Sequence, residues 1–332
     1  MDVVISSRVR LARNQSGLPY TTVVLDERIN TVAKLAYEAM NKRERFGLLK
    51  MSNVGTVELG VLREKRLVSL DLIKSRKHSS LIISEDEMLS IMVGEEDHLR
   101  IQAVLRGLKL REAFTKANQM DDRIAAKIKY SFDPELGYLT SCPTNLGTGM
   151  RASVMLFLPA LAIMSKGNIA GNLGTPNITV RGIYGEGSDA DGYMYQVSNS
   201  RTLGVSEHEI IDTVTKTAEH LITTEARARD LLINNDPVGV RDQIVRAYGI
   251  LTNAYTITAK EFMRLIALVK LGVHYKFVEI RDAQRLETLI IEAQPSGISY
   301  ASGRELTSEE RDICRADYVG KILKSLTDTK IS

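Results

Sequence analysis

The sequence predicts an α+β protein in which strands and helices alternate first and helices alone follow. Two observations support this prediction. Residues 81–83 and 88–93 are short apolar segments separated by an acidic turn, which is the pattern of two paired strands. From Ser206 onward, apolar residues recur at the three- and four-residue spacing of a helix. Strand signals therefore belong to the first part of the chain.

The individual segments extend this prediction. We expect helices over residues 26–41 and 111–128, and a core segment over residues 152–164. Alternation of apolar and polar residues predicts strands near residues 6–11, 57–61, 94–104, 178–181 and 193–198. In the first of these strands Arg8 and Arg10 fall on one face, and in the third Glu96 and Arg100 do so.

The chain has 332 residues, enough for two domains. The run Asn-Asn-Asp-Pro at 234–237 interrupts the helical pattern and is the best candidate for a boundary. We predict one domain over residues 1–233 and a helical domain over residues 238–332. Capping boxes beginning at Thr258 and Thr307 mark helix starts within the second domain.

Composition excludes several classes of function. The 44 basic and 41 acidic residues give a net charge of only +3, which argues against binding to nucleic acid or to a membrane surface. Cys142 and Cys314 form no CxxC pair, and the five histidines are scattered, so we expect neither a disulfide framework nor a protein-built metal site. No secretory signal or membrane-spanning run is visible, and we expect a cytoplasmic protein.

Residues 139–153 combine several features of a ligand site. Cys142 precedes a proline, a Gly-Thr-Gly turn follows at 147–149, and Arg151 leads into an apolar run. Backbone N–H groups in such a turn can cradle an anion, and an arginine can bind phosphate with two parallel hydrogen bonds. A glycine-rich hairpin with a buried cysteine explains the segment equally well, and both interpretations stay open from this segment alone.

Charged residues elsewhere favour the phosphate interpretation. The arginines in ligand-like positions are Arg8, Arg10, Arg100, Arg151 and Arg181. Together they would balance the charge of a nucleoside triphosphate. Glu96 and Glu186 each lie near one of these arginines, and two carboxylates in such a pocket need a cationic substrate. A guanidinium fits, because a glutamate can orient it and remove its proton while Cys142 lies beside it as a thiolate. The sequence contains no P-loop, no HRD or DFG motif, no HExxH and no GxSxG.

Four segments in this order resemble the phosphagen (guanidino) kinase family, namely residues 7–10, 95–100, 142–149 and 181–186. The small helical domain that precedes this region in creatine and arginine kinases is missing, and a helical part follows. This layout is similar to the bacterial protein-arginine kinases over essentially the whole chain. The resemblance implies a catalytic domain with an antiparallel sheet flanked by helices, followed by a mainly helical domain.

The resemblance also implies the activity and the residues of the site. The γ-phosphoryl group of ATP would pass to arginine side chains of proteins, with Mg²⁺ bound mainly through phosphates and water. Glu96 would be the base, Glu186 a second clamp and Cys142 a neighbour of the guanidinium. The implied ATP-binding residues are Ser6, Ser7, Arg8, Val9, Arg10, Arg100, Arg151, Ala152, Ser153, Val154, Met155, Arg181, Gly182, Ile183, Tyr184, Gly185 and Glu186.

Partners and regulation follow from the same resemblance. It implies a homodimer that is activated by a McsA-like protein, acts on the heat-shock repressor CtsR and marks proteins for the Clp protease. An RDxxRA motif that binds phosphoarginine allosterically would comprise Arg311, Asp312, Ile313, Cys314, Arg315 and Ala316. Its two arginines lie one helical turn apart and would share a phosphate. A similar run at residues 241–247 is interpreted as a solvated helix face.

Two features depart from the family, and two other functions stay open. The chain begins only a few residues before Arg8, and Arg66 replaces a histidine that the family places near the adenine. The first alternative is a kinase for free arginine or another small guanidine. The second is an inactive adaptor that binds phosphoarginine.

Overall fold

The centre of the protein is an eight-stranded antiparallel sheet. A computed structural model describes residues 3–23, 26–40, 45–167, 169, 176–182 and 191–327. In these residues the strands are β1 (Val4–Arg13), β2 (Phe46–Lys50), β3 (Ser80–Ser84), β4 (Leu89–Val93), β5 (Leu99–Arg106), β6 (Phe132–Asp133), β7 (Gly137–Tyr138), β8 (Met150–Phe157), β9 (Ile178–Gly182) and β10 (Met194–Asn199). The sheet order is β2-β3-β4-β5-β1-β8-β10-β9, and β6 pairs with β7 separately.

Helices follow the strands and dominate the last third of the chain. Those of the first part are α1 (Arg28–Met40), α2 (Thr56–Glu64), α3 (Leu70–Lys74), α4 (Leu110–Ala125), α5 (Pro159–Met164) and α6 (Glu207–Asn235). Those of the last part are α7 (Pro237–Asn253), α8 (Ala259–His274), α9 (Ala283–Glu292), α10 (Pro295–Ala301) and α11 (Ser308–Leu326). In the described part of the chain, no helix combines the length and apolar character that a membrane crossing requires.

The two faces of the sheet are covered differently. On one face Val9, Leu11 and their neighbours form the main core with helices α1, α4 and α6. On the other face, among the described residues, α2 and α3 pack over β3 and β4, and α8 packs against Phe157 and Met194. Between these two covers, the central strands β5, β1 and β8 present polar side chains. Since a strand alternates its side chains, burying Val9 and Leu11 places Arg8 and Arg10 on this open strip.

The helical pattern breaks where the sequence predicts. Helix α6 ends at Asn235, and the Asp236 carboxylate accepts a hydrogen bond from the Gly239 N–H at 2.8 Å to cap α7. Helices α7 to α11 pack around a core of their own, with Phe262, Ile266 and Leu323 at its centre. The predicted capping box at Thr307 is confirmed, and at Thr258 the side chain accepts from the Glu261 N–H.

Two sequence predictions are wrong. Residues 57–61 form helix α2 rather than a strand, because Leu59 and Leu62 pack on one side against the core beneath β3 and β4. Five residues of alternation cannot distinguish the two periods. The strand predicted from residue 94 begins only at Leu99, since Gly94 has a left-handed φ of 79° and its N–H bonds to the His98 carbonyl within a turn. Glu96 therefore lies on a turn and not on the sheet.

Glu225 on α6 should be a major contributor to stability. Its side chain is fully buried and accepts hydrogen bonds from the Ala160 and Leu161 N–H groups at the start of α5, and from Arg229 Nε at 2.7 Å. Glu225→Ala leaves the Arg229 charge buried without its partner and should lower the free energy of unfolding by about 3–5 kcal/mol. Urea unfolding followed by circular dichroism measures this. The exposed Asp212, paired with Arg111, provides the control: Asp212→Ala should cost less than about 1 kcal/mol. Equal effects of both substitutions would contradict the assignment.

Candidate active site

Neighbouring strands bring the predicted arginines together. In the sheet register Arg10 of β1 lies opposite Gln102 of β5 and Arg151 of β8, while Arg100 lies opposite Ala12. Arg10, Arg100 and Arg151 line one cavity of about 170 Å³ together with Glu96 and Cys142. An adjoining cavity of about 210 Å³ shares Arg151 and extends to Arg181. Residues that are far apart in sequence therefore form one continuous basic floor.

The cluster is electrostatically unfavourable when it is empty. Burial, then the charges of Arg100 and Arg151, lower the pKa of Arg10 to about 9. Burial and the neighbouring charges of Arg10, Arg66 and Arg100 lower the pKa of Arg8 well below its usual range. Burial lowers the pKa of Arg151 as well, helped by Arg181. A bound polyanion would offset the cost of burial and the repulsion between the arginines, because it supplies negative charge.

Glu96 is the carboxylate that faces this cluster. Its side chain is 34% exposed and lies 3.3 Å from Arg100 Nη2, while the buried Glu95 forms the closer pair with Arg100 at 2.6 Å. Burial raises the pKa of Glu96, and the charges of Asp97 and Glu95 raise it further against the opposing Arg100 and Cys142. Glu95 therefore neutralises part of the Arg100 charge and is the closer of its two acidic partners.

A buried network that the sequence did not reveal holds the turn of Glu96. Asp97 Oδ1 accepts hydrogen bonds from the Ser141 N–H at 2.7 Å and from Asn14 Nδ2 at 2.6 Å. Thr21 Oγ1 donates to the pair of backbone carbonyls of Glu95 and Glu96. These bonds tie the acidic turn to the loop that carries Cys142. Asp97 belongs to the acidic motif, but nothing in the sequence around Asn14 and Thr21 signals their part.

His98 makes hydrogen bonds to the backbone on both sides of its ring. Its Nδ1 accepts from the Gln15 N–H at 2.9 Å, and its Nε2 then donates to the Pro19 carbonyl at 2.9 Å. Burial lowers the pKa of His98 and keeps the ring neutral. The ring therefore links the backbone of Gln15 to that of Pro19, in the same part of the chain as Asn14.

The cysteine loop is shaped by its glycines and by Thr202. Gly147 and Gly149 have left-handed φ values of 103° and 61°, and a Cβ at Gly149 would lie 2.7 Å from the Ala12 carbonyl oxygen. Thr202 Oγ1 bonds to the Thr144 and Leu146 carbonyls. The half-buried Cys142 lines the cavity, with its Sγ 3.0 Å from Thr144 Oγ1. The loop therefore contributes to the site, and its cysteine is not a core residue.

The remaining residues of the predicted ATP site fall into three groups. Ser6, Arg8, Ser153 and Met155 share the open face with the cluster, as the register of β1 and β8 requires. Four alternate residues point instead into the opposite core, namely Ser7, Val9, Ala152 and Val154. Gly182 ends β9, and Ile183, Tyr184, Gly185 and Glu186 lie outside the described residues. The residues of this second group could contact a nucleotide only through their backbone atoms.

Arg66 lies at the edge of the open face. It adopts a left-handed φ of 62° after helix α2, and its Nη1 lies 3.4 Å from Met155 Sδ. A residue other than glycine in this conformation is uncommon and is found mostly where side-chain placement requires it. This position puts the guanidinium within electrostatic range of Arg8.

Both arginines of the RDxxRA segment donate hydrogen bonds to backbone carbonyl groups elsewhere in the protein. Arg315 is 1% exposed and donates to the Ala293 and Ile257 carbonyls, each at 2.7 Å, as well as to Asp312. Arg311 Nη1 donates to the Leu306 carbonyl at 3.0 Å. Arg315 therefore secures the start of α11 and is not presented with Arg311 on an open face. The run at 241–247 has one residue more between its arginines, and Arg246 forms an exposed pair with Asp242.

Comparisons with known proteins identify the family. The model described as ATP:guanido phosphotransferase, C-terminal catalytic domain, matches residues 28–228, and that described as Protein-arginine kinase McsB C-terminal domain matches residues 237–332. A curated protein-arginine kinase from Caldanaerobacter subterraneus is 43% identical over 324 residues, covering 96% of each chain. Another from a Geobacillus species is 41% identical and covers 97% of this chain and 91% of its own. The chain belongs to the protein-arginine kinase branch of the ATP:guanido phosphotransferase family.

Solved structures of guanidino kinases share the fold. A lombricine kinase structure superimposes with a TM-score of 0.59 at 24% identity, covering 68% of this chain and 67% of its own. A taurocyamine kinase from Schistosoma mansoni, solved with transition-state analogue components, gives the same TM-score at 23% identity and covers 67% of this chain and 33% of its own. The family membership confirms the fold class predicted from the sequence.

Within the described residues, no group of three or more His, Cys, Asp or Glu side chains is arranged to hold a metal ion.

The raised pKa of Glu96 has a testable origin. Asp97→Asn removes a negative neighbour but retains an oxygen that accepts from Ser141 and Asn14, so the pKa of Glu96 should fall. The measurement is a ¹³C NMR titration of glutamate carboxyl groups, with the Glu96 signal identified by its loss in Glu96→Gln. As a control, the exposed Asp86→Asn should leave this titration unchanged. A pKa that stays constant or rises in Asp97→Asn would contradict the explanation.

Proposed function

We propose that this protein transfers the γ-phosphoryl group of ATP to arginine side chains of other proteins. The observation that carries the proposal is the meeting of opposite charges in one cavity. Arg10, Arg100 and Arg151 line it together with Glu96 and Cys142, and Glu96 lies 3.3 Å from Arg100 Nη2. A basic floor suits the triphosphate, and a carboxylate next to a thiol suits a guanidinium.

The chemistry follows from this arrangement. The arginines hold the triphosphate and stabilise the charge that develops on the transferred group. Mg²⁺, held mainly by phosphate oxygens and water, would neutralise part of that charge. Glu96 accepts a proton from a guanidinium nitrogen, whose lone pair then forms the N–P bond as the bond between the γ-phosphorus and the β-bridging oxygen breaks and ADP leaves. Cys142, next to Glu96, orients the guanidinium, and Glu186 acts as a second clamp.

A protein substrate is favoured over free arginine by the relatives. They are named protein-arginine kinases and match this chain through both the catalytic segment and the helical part. A kinase for free arginine or another small guanidine is the second candidate, since the solved neighbours include lombricine and taurocyamine kinases. An inactive adaptor is disfavoured by the intact pair of Glu96 and the arginine cluster.

The cellular setting is proposed from the resemblance. Phosphorylated arginine would mark proteins for a Clp protease, a CtsR-like repressor would be a substrate and a McsA-like protein the activator. We expect a cytoplasmic homodimer without direct contact to nucleic acid. Phosphoarginine binding at residues 311–316 would require Arg315 to exchange its contacts with the Ala293 and Ile257 carbonyls for the phosphate.

Removing the proposed base should abolish transfer. Glu96→Ala should reduce the rate by at least about 10²–10⁴-fold with no loss of fold, because no group takes the guanidinium proton. The assay incubates the protein with ATP and either casein or free arginine and measures acid-labile phosphate. Label on casein supports the proposal, label on free arginine alone supports the second candidate, and no label supports the adaptor. Retained activity in Glu96→Ala, or in the isosteric Glu96→Gln, would remove Glu96 from this role.

The arginine cluster should lower the stability of the free protein and strengthen its binding of nucleotide. Arg10→Met removes a half-buried charge that its neighbours repel, and relief of about 1 kcal/mol would raise the melting temperature of the free protein by about 1–2 °C. The stabilisation that saturating ATP gives the wild type should shrink, since one phosphate ligand is lost. Differential scanning calorimetry with and without ATP measures both effects. Exposed Arg227→Met is the control and should change neither. An unchanged ATP shift in Arg10→Met would exclude Arg10 from the nucleotide site.

A further inference from the structure

Gln102 on β5 lies buried beneath the arginine cluster, with its amide bonded on both sides. Its Oε1 accepts from Arg8 Nε at 2.8 Å and also from Nη2 of the same guanidinium. Its Nε2 donates to the backbone carbonyl of Arg66 at 3.2 Å and to Ser90 Oγ at 3.3 Å. The amide thus fixes the orientation of Arg8 relative to the turn at Arg66.

This turn is the end of helix α2. The Arg66 N–H bonds to the Arg63 carbonyl, and the Leu67 N–H reaches back to the Leu62 carbonyl, both at 2.9 Å. These are the bonds that close a helix with a left-handed residue, a position that glycine usually occupies. With arginine there, the carbonyl that faces Gln102 and the side chain that faces Arg8 move together with α2.

The same helix end is bonded to the helical part of the chain. Glu64 accepts hydrogen bonds from the Ser296 N–H at 2.8 Å and the Gly297 N–H at 2.9 Å, at the start of α10. The contact between the helices is close, because a Cβ at Gly60 would lie 2.2 Å from Ser296 Oγ. Helix α2 is therefore held by α10 on one side and by the arginine face on the other.

We propose that Glu64 and Gln102 are positioning residues in one polar connection, through which the helical part of the chain orients Arg8 for the triphosphate. The connection runs from α10 to Glu64, through the Arg66 turn to Gln102, and ends on Arg8. It rests on the proposed role of Arg8 in holding ATP. Arg8 needs such support, since it lies among like charges that would otherwise displace it.

Binding of ATP, measured by isothermal titration calorimetry on the full chain, tests the connection. Gln102→Met keeps the volume but removes the acceptor for Arg8, and should raise the Kd for ATP about threefold to tenfold. Glu64→Gln weakens the contact with α10 and should raise it about threefold. The double variant should bind ATP no more weakly than Gln102→Met alone, within a factor of about two, because either change breaks the same connection.

Kinetics on casein separate positioning from a general loss of structure. In both variants the KM for ATP should rise while the KM for casein and the kcat at saturating ATP stay within a factor of about two. Glu58→Gln, the same substitution at an exposed site on α2, is the matched control and should behave as the wild type.

Each other outcome overturns the connection. If Gln102→Met lowers the melting temperature but binds ATP as the wild type does, Gln102 has a structural role only. If the effects of Glu64→Gln and Gln102→Met multiply in the double variant, the two residues act independently. If Gln102→Met does not fold, Glu64→Gln decides, and an unchanged Kd for ATP rejects the proposal. A wild type that binds no ATP fails the proposed function itself, which is distinguishable from failure in the variants alone.

Discussion

The mutual repulsion of a cluster of arginines constrains the rest of the structure. Arg8, Arg10, Arg100 and Arg151 point from adjacent strands into one open strip, where burial and like charge lower the pKa values of three of them. The free protein tolerates this arrangement because the opposite face of the same strands is a large apolar core. The cluster has few internal counterions: Glu95 is paired with Arg100, and Gln102 supplies a neutral acceptor to Arg8. The charge that the cluster lacks is the charge that a triphosphate carries.

The surroundings of the strip explain why it stays open and ordered. Helices α2 and α3 cover one flank and α8 covers the other, so that a limited part of the polar face remains accessible. Hydrogen bonds then position the turn of Glu96 and the loop of Cys142. Asp97 links the turn of Glu96 to the loop of Cys142, and Thr202 supports that loop from the far side. Glu96 and the Cys142 thiol lie on loops, but a buried network fixes the position of one loop relative to the other.

The helical part of the chain contacts the catalytic part at several places, two of which involve helices α10 and α8. Helix α10 contacts α2 through Glu64, and α8 packs against the residues that lead into β10. A Cβ at Gly192 would lie 2.8 Å from the end of the Met263 side chain, so this second contact is also close. Arg315 belongs to this architecture, since its bonds join α11 to the residues before α8 and α10. A change in the packing of the helical part would therefore alter the positions of α2 and of the residues that lead into β10.

The sequence by itself determined the order of most strands and helices, the break at Asp236 and the identity of the charged motifs. These features are local: alternation places Arg8 and Arg10 on one face, and a capping residue starts a helix wherever it stands. Tertiary structure decided what local pattern leaves ambiguous. Residues 57–61 form a helix because Leu59 and Leu62 pack into a core. The strand predicted from residue 94 begins only at Leu99, because Gly94 lies in a turn with a left-handed φ. No local signal indicated the buried hydrogen bonds of Arg315 and Gln102, whose partners lie up to 58 and 94 residues away along the chain. Such contacts arise only when distant segments pack, because a hydrogen bond depends on separation in space and not along the sequence.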